Sequence, residues 1–230
     1  MPDRQLVDTP FVPATRTSRQ AILDRVRAAT AGFEPAPVRR DYRQAGAHPQ
    51  PDPETLLEVL IDRLVDYKAE VTQCAITDVH TAVTAFLSAE EAVRVVVPDG
   101  FPDEWLAGST DSESGLVRLD DTGPLTVDEL DAADGVVTTC AVAVAETGTI
   151  VLDAGAGQGR RALTLLPDLH VVVVTADQVV ARVPDALGRL DPRRPLTWIS
   201  GPSATSDIEL NRVEGVHGPR RLRVVVAESG

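Results

Sequence analysis

Short runs of valine and other apolar residues, spaced along the chain, constrain its fold more than any other feature. Val171 to Val174 is all valine, Val93 to Val97 is apolar apart from Arg94 and stops at Pro98, and Leu222 to Ala227 carries Val224 to Val226. Strands buried on both faces read this way, and parallel strands are buried on both faces because crossover helices cover them. Further strands are expected at Val71 to Ala75, Leu116 to Leu119 and Thr149 to Leu152, and around Leu196, Trp198 and Ile199.

Helical patterns lie between these runs. Asp52 reads as a cap with Pro53 at the first helical position, and Leu57, Leu60, Ile61, Leu64 and Val65 share one face. Asp78 to Leu87 places Val79, Val83, Phe86 and Leu87 together. Shorter helices are expected over 101–107, 127–132, 160–166 and 176–190, the last broken at Pro184. Strands alternating with helices define an α/β domain with a mostly parallel sheet and flanking helices. That domain is expected over 54–230. Residues 1–53 read as an N-terminal segment, in which Thr17 and Gln20 form a capping box for a helix reaching about Ala31, followed by a proline-rich arm.

Composition removes several function classes. The net charge of −13 opposes nonspecific binding to nucleic acid or anionic membrane. Lys68 is the only lysine, and it lies outside any phosphate-binding loop of the Walker type, which needs its own lysine. Cys74 and Cys140 are far apart and no CxxC occurs, so the chain offers no four-thiolate cluster or zinc site and no resident metal is expected. No stretch approaches the ~20 apolar residues of a membrane-spanning helix. With no apolar signal-peptide core at the N-terminus, a cytoplasmic protein is expected.

Three polar segments follow apolar strands. Asp153 to Arg161 is glycine-rich, with Gly155, Gly157 and Gly159 ahead of Arg160 and Arg161. It reads either as a tight structural turn or as an anion site built from backbone N–H groups. The dinucleotide fingerprint is not met, because Gly159 comes two positions after Gly157 where three are required. Glu146 interrupts an apolar stretch and stands either at an exposed hairpin turn with Gly148 at positive φ, or as a carboxylate held for chemistry. Ser200 to Pro219 offers Ser203, Thr205, Asp207, Glu209 and His217 between two strands. These residues either satisfy a loop, or Asp207, Glu209 and His217 bind a hard metal or form an acid–base set. His80, at the start of the Asp78 helix, faces either a ligand or solvent, and His48 and His170 read as incidental.

Taken together, Glu146-Thr-Gly-Thr-Ile-Val-Leu152, the glycine turn running into Pro167 and His170-Val-Val-Val-Val174, and Gly201-Pro-Ser-Ala-Thr-Ser-Asp-Ile-Glu209 with Gly215-Val-His-Gly-Pro219 resemble the LUD-domain family. Within it they are most similar to the lactate-utilisation protein C (LutC, YkgG-like) group. The resemblance covers roughly residues 55–228. It implies a sheet like that of the NagB/RpiA/CoA-transferase-like proteins. It also implies a part in oxidising L-lactate to pyruvate, as a cluster-free accessory or substrate-handling subunit beside LutA- and LutB-like iron–sulfur partners that carry the clusters. Glu146 in its turn is similar to the nucleophilic glutamate of coenzyme A transferases, which leaves a stand-alone transferase or nucleotide-dependent ligase as the alternative. On the preferred reading, loops 146–161 and 200–219 share one cleft for a small carboxylate. Arg160 or Arg161 would anchor the anion, Glu146 or His217 would act as acid–base, and Ser203 and Thr205 would donate hydrogen bonds.

Overall fold

A parallel sheet needs cover on both faces, and in this chain each face is covered by different means. A computed structural model describes residues 17–34, 36–49, 51–106, 115–206, 212–214 and 218–228, with the backbone alone for 204–206 and 212–214. The chain divides into two compact units, Met1–Tyr42 and Arg43–Gly230. Within the first, α1 (Ser18–Thr30) opens at the expected capping box, with the Thr17 side chain accepting from the Gln20 N–H. Residues 1–16 lie outside the described residues.

The second unit is built on six parallel strands in the order β1-β12-β7-β4-β2-β3. These are β1 (Glu70–Ala75), β2 (Arg94–Val97), β3 (Val117–Asp120), β4 (Gly135–Thr138), β7 (Leu169–Thr175) and β12 (Arg221–Glu228). The valine runs take the central places. Val171 and Val173 of β7, with Val95, Val97, Val137 and Val225, pack against α3 (Val79–Ala89) on one face.

The other face carries two separate apolar clusters. One joins Val172, Val174, Leu222, Val224 and Val226 to α2 (Pro53–Asp66) and to a second, four-stranded sheet. That sheet has the order β8-β5-β6-β9 and contains the hairpin β5 (Val142–Val144) and β6 (Thr149–Leu152), with β8 (Val179–Val180) and β9 (Thr197–Ile199) at its edges. Its outer side, through Val142, Val144 and Val151, rests on Ala186 of α5 (Val183–Leu187). The other cluster sets Val96 and Val136 against Leu130 of α4 (Val127–Asp131) and Leu163.

Several short helices differ from expectation. The run 176–190 is a 3₁₀ turn (Ala176–Gln178), then β8, then α5. Pro184 lies in the first turn of α5, where its missing N–H breaks no helical bond. The helices expected over 101–107 and 160–166 are the 3₁₀ turns Asp103–Trp105 and Arg161–Thr164. Inside the segment 200–219, β10 (Ala204–Ser206) and β11 (Arg212–Glu214) pair antiparallel, where the sequence suggests only a loop.

Helix α2 fixes the hairpin layer through two close approaches. Gly148 has φ +56°, and a Cβ there would stand 2.7 Å from Arg63 Cβ and 3.0 Å from its carbonyl carbon. Gly201 has φ +86°, and a Cβ there would stand 2.8 Å from the Tyr67 carbonyl oxygen. Gly148→Ala is therefore expected to lower stability by about 2–5 kcal/mol, combining left-handed strain with overpacking against backbone. Guanidinium denaturation checks this, with the neighbouring Thr147→Ala as the control that stays within about 1 kcal/mol.

Candidate functional site

The two clusters on the second face leave a seam, and His170 stands in it. The register sets His170 of β7 between Val136 of β4 and Leu222 of β12. Its side chain is 1% exposed. Nε2 lies 2.7 Å from Thr138 Oγ1, and this is the ring's one hydrogen bond among the described residues. Burial disfavours the imidazolium and brings the pKa of His170 down to about 4, so the ring is neutral near pH 7.

Above this seam lies a cavity of about 260 Å³. His170, Leu222 and Thr164 line it together with Thr197 to Ser203, Gly218, Pro219 and Arg161. The segment 197–203 is held in place by several bonds. Ile199, Trp198 and Thr197 pair antiparallel with Ile150, Val151 and Leu152 of β6. The Ser200 and Thr149 hydroxyls lie 2.8 Å apart, and Ser203 N donates to Pro219 O at 2.8 Å. Arg161 donates to Thr197 Oγ1 at 3.0 Å and makes no ion pair among the described residues. The cavity thus combines a cation free to take an anion, several hydroxyls, and one neutral imidazole. Trp198 is 39% exposed and forms part of its wall.

The described residues that the sequence places in one cleft are divided among three cavities. Arg161 and Ser203 line the cavity just described. The glycine turn lines a second cavity, of about 490 Å³, at the carboxyl ends of β2 and β3. Its polar groups are largely occupied. Arg160 donates to both Asp121 oxygens, at 2.8 and 3.0 Å, and to Leu125 O at 2.6 Å. Burial pushes the Asp121 carboxyl up, but the bonds from Arg160 and Leu125 N outweigh it and hold it below the usual carboxylate range. Arg194 pairs with Asp153 at 2.8 Å. Gly157 N donates to Asp99 O at 2.7 Å, and Gly155 N to Asp153 Oδ1 at 3.0 Å. A 3₁₀ turn follows rather than an α-helix, so no macrodipole faces the turn. Gly157, at φ +72°, is needed for packing, because a Cβ there would meet Thr139 Oγ1 at 2.7 Å. Gly159 is at φ +68° and packs against Leu163 and Pro98.

Glu146 is at the β5–β6 turn and is exposed, and its backbone N–H donates to Ala181 O at 3.0 Å. It borders a third cavity, of about 170 Å³, with Arg63 and Arg182. A cleft shared by Glu146 and Arg161 is therefore not formed. The two lie toward opposite ends of β6, whose four residues span about 13 Å. Asp207, Glu209 and His217 lie outside the described residues, as does the side chain of Thr205.

His170 is the residue that sequence reasoning passes over. Cys140 is buried, its Sγ donating to Gln178 Oε1 at 3.3 Å, and burial pushes its thiol pKa up. Cys74 is half-buried. No three His, Cys, Asp or Glu side chains converge as a metal site requires among the described residues. In the same residues no helix is long and apolar enough to cross a membrane.

The parallel sheet with its hairpin layer defines an α/β class that comparison places in a family. The LUD domain model matches residues 57–227, and the chain belongs to that family. A lactate utilization protein C from Deinococcus radiodurans is 44% identical, over 94% of this chain and 98% of its own length. One from Halalkalibacterium halodurans is 29% identical, over 76% and 80%. A crystal structure of a DUF162 family protein from Deinococcus radiodurans is similar at a TM-score of 0.64 and 41% identity, covering 76% of this chain and 98% of that one.

The buried imidazole has a consequence for stability. Below its ordinary pKa of 6.5, the unfolded chain binds a proton that folded His170 refuses until about pH 4. Stability therefore falls as pH drops from about 6.5 toward about 4. Denaturation at pH 7 and pH 5 is expected to show the wild type losing about 2 kcal/mol more than His170→Gln. Equal losses would contradict a neutral buried ring.

Proposed function

We propose that the protein is a component of the L-lactate oxidation system, a cluster-free substrate-handling subunit acting with iron–sulfur partners of the LutA and LutB kind. The observation that carries this reading is the 44% identity to a lactate utilization protein C over 94% of the chain. Electron transfer on this reading belongs to the partners, since the chain's two cysteines are far apart in sequence and Cys140 is buried.

The cavity over β7 and β12 is the ligand site on this reading. Arg161 anchors the carboxylate of a small acid at the mouth. The hydroxyls of the 197–203 segment bond to it, and His170 meets the rest of the molecule at the floor. A small neutral floor and a cationic mouth suit a short monocarboxylate better than a nucleotide, whose phosphates need more than one free cation.

A strain deleted for this gene is expected to lose growth on L-lactate and keep growth on glucose. The wild-type gene restores growth on L-lactate, and Arg161→Gln restores it only in part. Unimpaired growth of the deletion strain on L-lactate would contradict the assignment. In purified protein carrying Trp105→Phe, L-lactate is expected to change Trp198 fluorescence. Arg161→Gln should weaken that binding about tenfold, the usual effect of losing a charge-assisted hydrogen bond.

A further inference from the structure

The buried pair Thr138–His170 has a property that the cavity's shape alone does not reveal. Thr138 is 0% exposed and His170 1%, and they lie 2.7 Å apart through Oγ1 and Nε2. A threonine hydroxyl both donates and accepts. A neutral imidazole carries one proton on one of its two nitrogens. The pair therefore has two states of equal charge. In one, Nε2–H donates to the Thr138 oxygen, and Nδ1 presents a lone pair. In the other, the Thr138 O–H donates to Nε2, and Nδ1 carries the proton.

Nδ1 has no protein partner among the described residues, and His170 lines the cavity. Its surroundings hold the ring neutral. Val136 and Leu222 beside it are apolar, Thr164 and Thr197 in the same cavity are uncharged, and burial disfavours an imidazolium.

We infer that Thr138 and His170 form a reversible hydrogen-bond reader at the floor of the cavity, accepting from an alcohol and donating to a ketone at the same ligand position. Nδ1 takes the hydroxyl proton of a 2-hydroxy carboxylate in a hydrogen bond, and Nδ1–H gives one to the carbonyl of the matching 2-oxo carboxylate. Passage between the states removes the proton at Nε2 and adds one at Nδ1 by exchange with water while the cavity holds no ligand, and the Thr138 hydroxyl turns to reverse the buried bond, with no net change in charge. His170 is thus the residue that specifies the ligand's second polar group, and Thr138 is a positioning residue acting through it. This inference rests on the reading of the cavity as a small-carboxylate site. It adds that one site holds both the alcohol and the ketone of a redox couple, which suits a subunit that hands substrate to a redox partner and receives the product.

The test uses the full chain labelled with ¹⁵N in histidine. His170 nitrogen shifts are recorded alone, with L-lactate, and with pyruvate, and dissociation constants are read from Trp198 fluorescence. The expected result is an unprotonated Nδ1 in the lactate complex and a protonated Nδ1 in the pyruvate complex. Thr138→Val removes the acceptor for Nε2–H, so the proton moves to Nδ1. Lactate affinity should then fall about fivefold relative to pyruvate, the effect of one neutral hydrogen bond. Thr138→Ser restores the wild-type ratio.

The same tautomer in both complexes, or a Thr138→Val ratio equal to wild type, overturns the reader. Binding that depends on Arg161 while the His170 shifts stay fixed overturns it too, and leaves the carboxylate site standing. Absence of any lactate or pyruvate effect on Trp198 and on His170 overturns the site reading, and the reader with it.

Discussion

The fold depends on how the second face of a six-stranded parallel sheet is covered. One face is closed conventionally by α3, through Val79, Val83 and Phe86. The other is shared between α2 with its hairpin layer and α4, in two clusters that do not merge. Apolar surface is buried at roughly 25 cal/mol per Å², so a continuous cover would be the more stable arrangement. The gap between the clusters coincides with the cavity and with its polar lining by His170 and Thr164, His170 being backed by the buried Thr138. An uncovered polar seam in an otherwise valine-rich sheet is where local consistency gives way, as is typical of functional positions.

The hairpin layer makes this cavity possible. Gly148 and Gly201 let two turns approach the carboxyl end of α2 closely, which fixes the height of β9 over the sheet. From there residues 197–203 reach across to Pro219 and close the cavity. The site is thus built on strands and a helix end, with the 200–203 turn tied at both ends, through Ser200 to Thr149 and through Ser203 to Pro219. Such ties hold a binding group in place more firmly than a free loop does.

Much of the fold was legible in the sequence. The valine runs marked β7, β2 and β12, and Asp52 with Pro53 marked the start of α2, because these are local signals. The arrangement of the site was not legible. Glu146, the glycine turn and Ser203 are all polar residues after strands, but β6 runs antiparallel to β5 and carries Glu146 and Arg161 toward opposite ends. Spacing in sequence does not reveal that reversal's reach. His170 carries no local signal, because a histidine opening an apolar strand looks like any core histidine. Its meaning depends on which neighbours leave it uncovered, a property of packing between elements distant in sequence.

The central claim is that the cavity between Arg161 and His170 holds the ligand. A crystal structure of the full chain grown with L-lactate or pyruvate tests it most directly. The account predicts a carboxylate at Arg161 with its 2-oxygen at His170 Nδ1. Ligand bound instead against the glycine turn or beside Glu146, with this cavity holding only water, would contradict it.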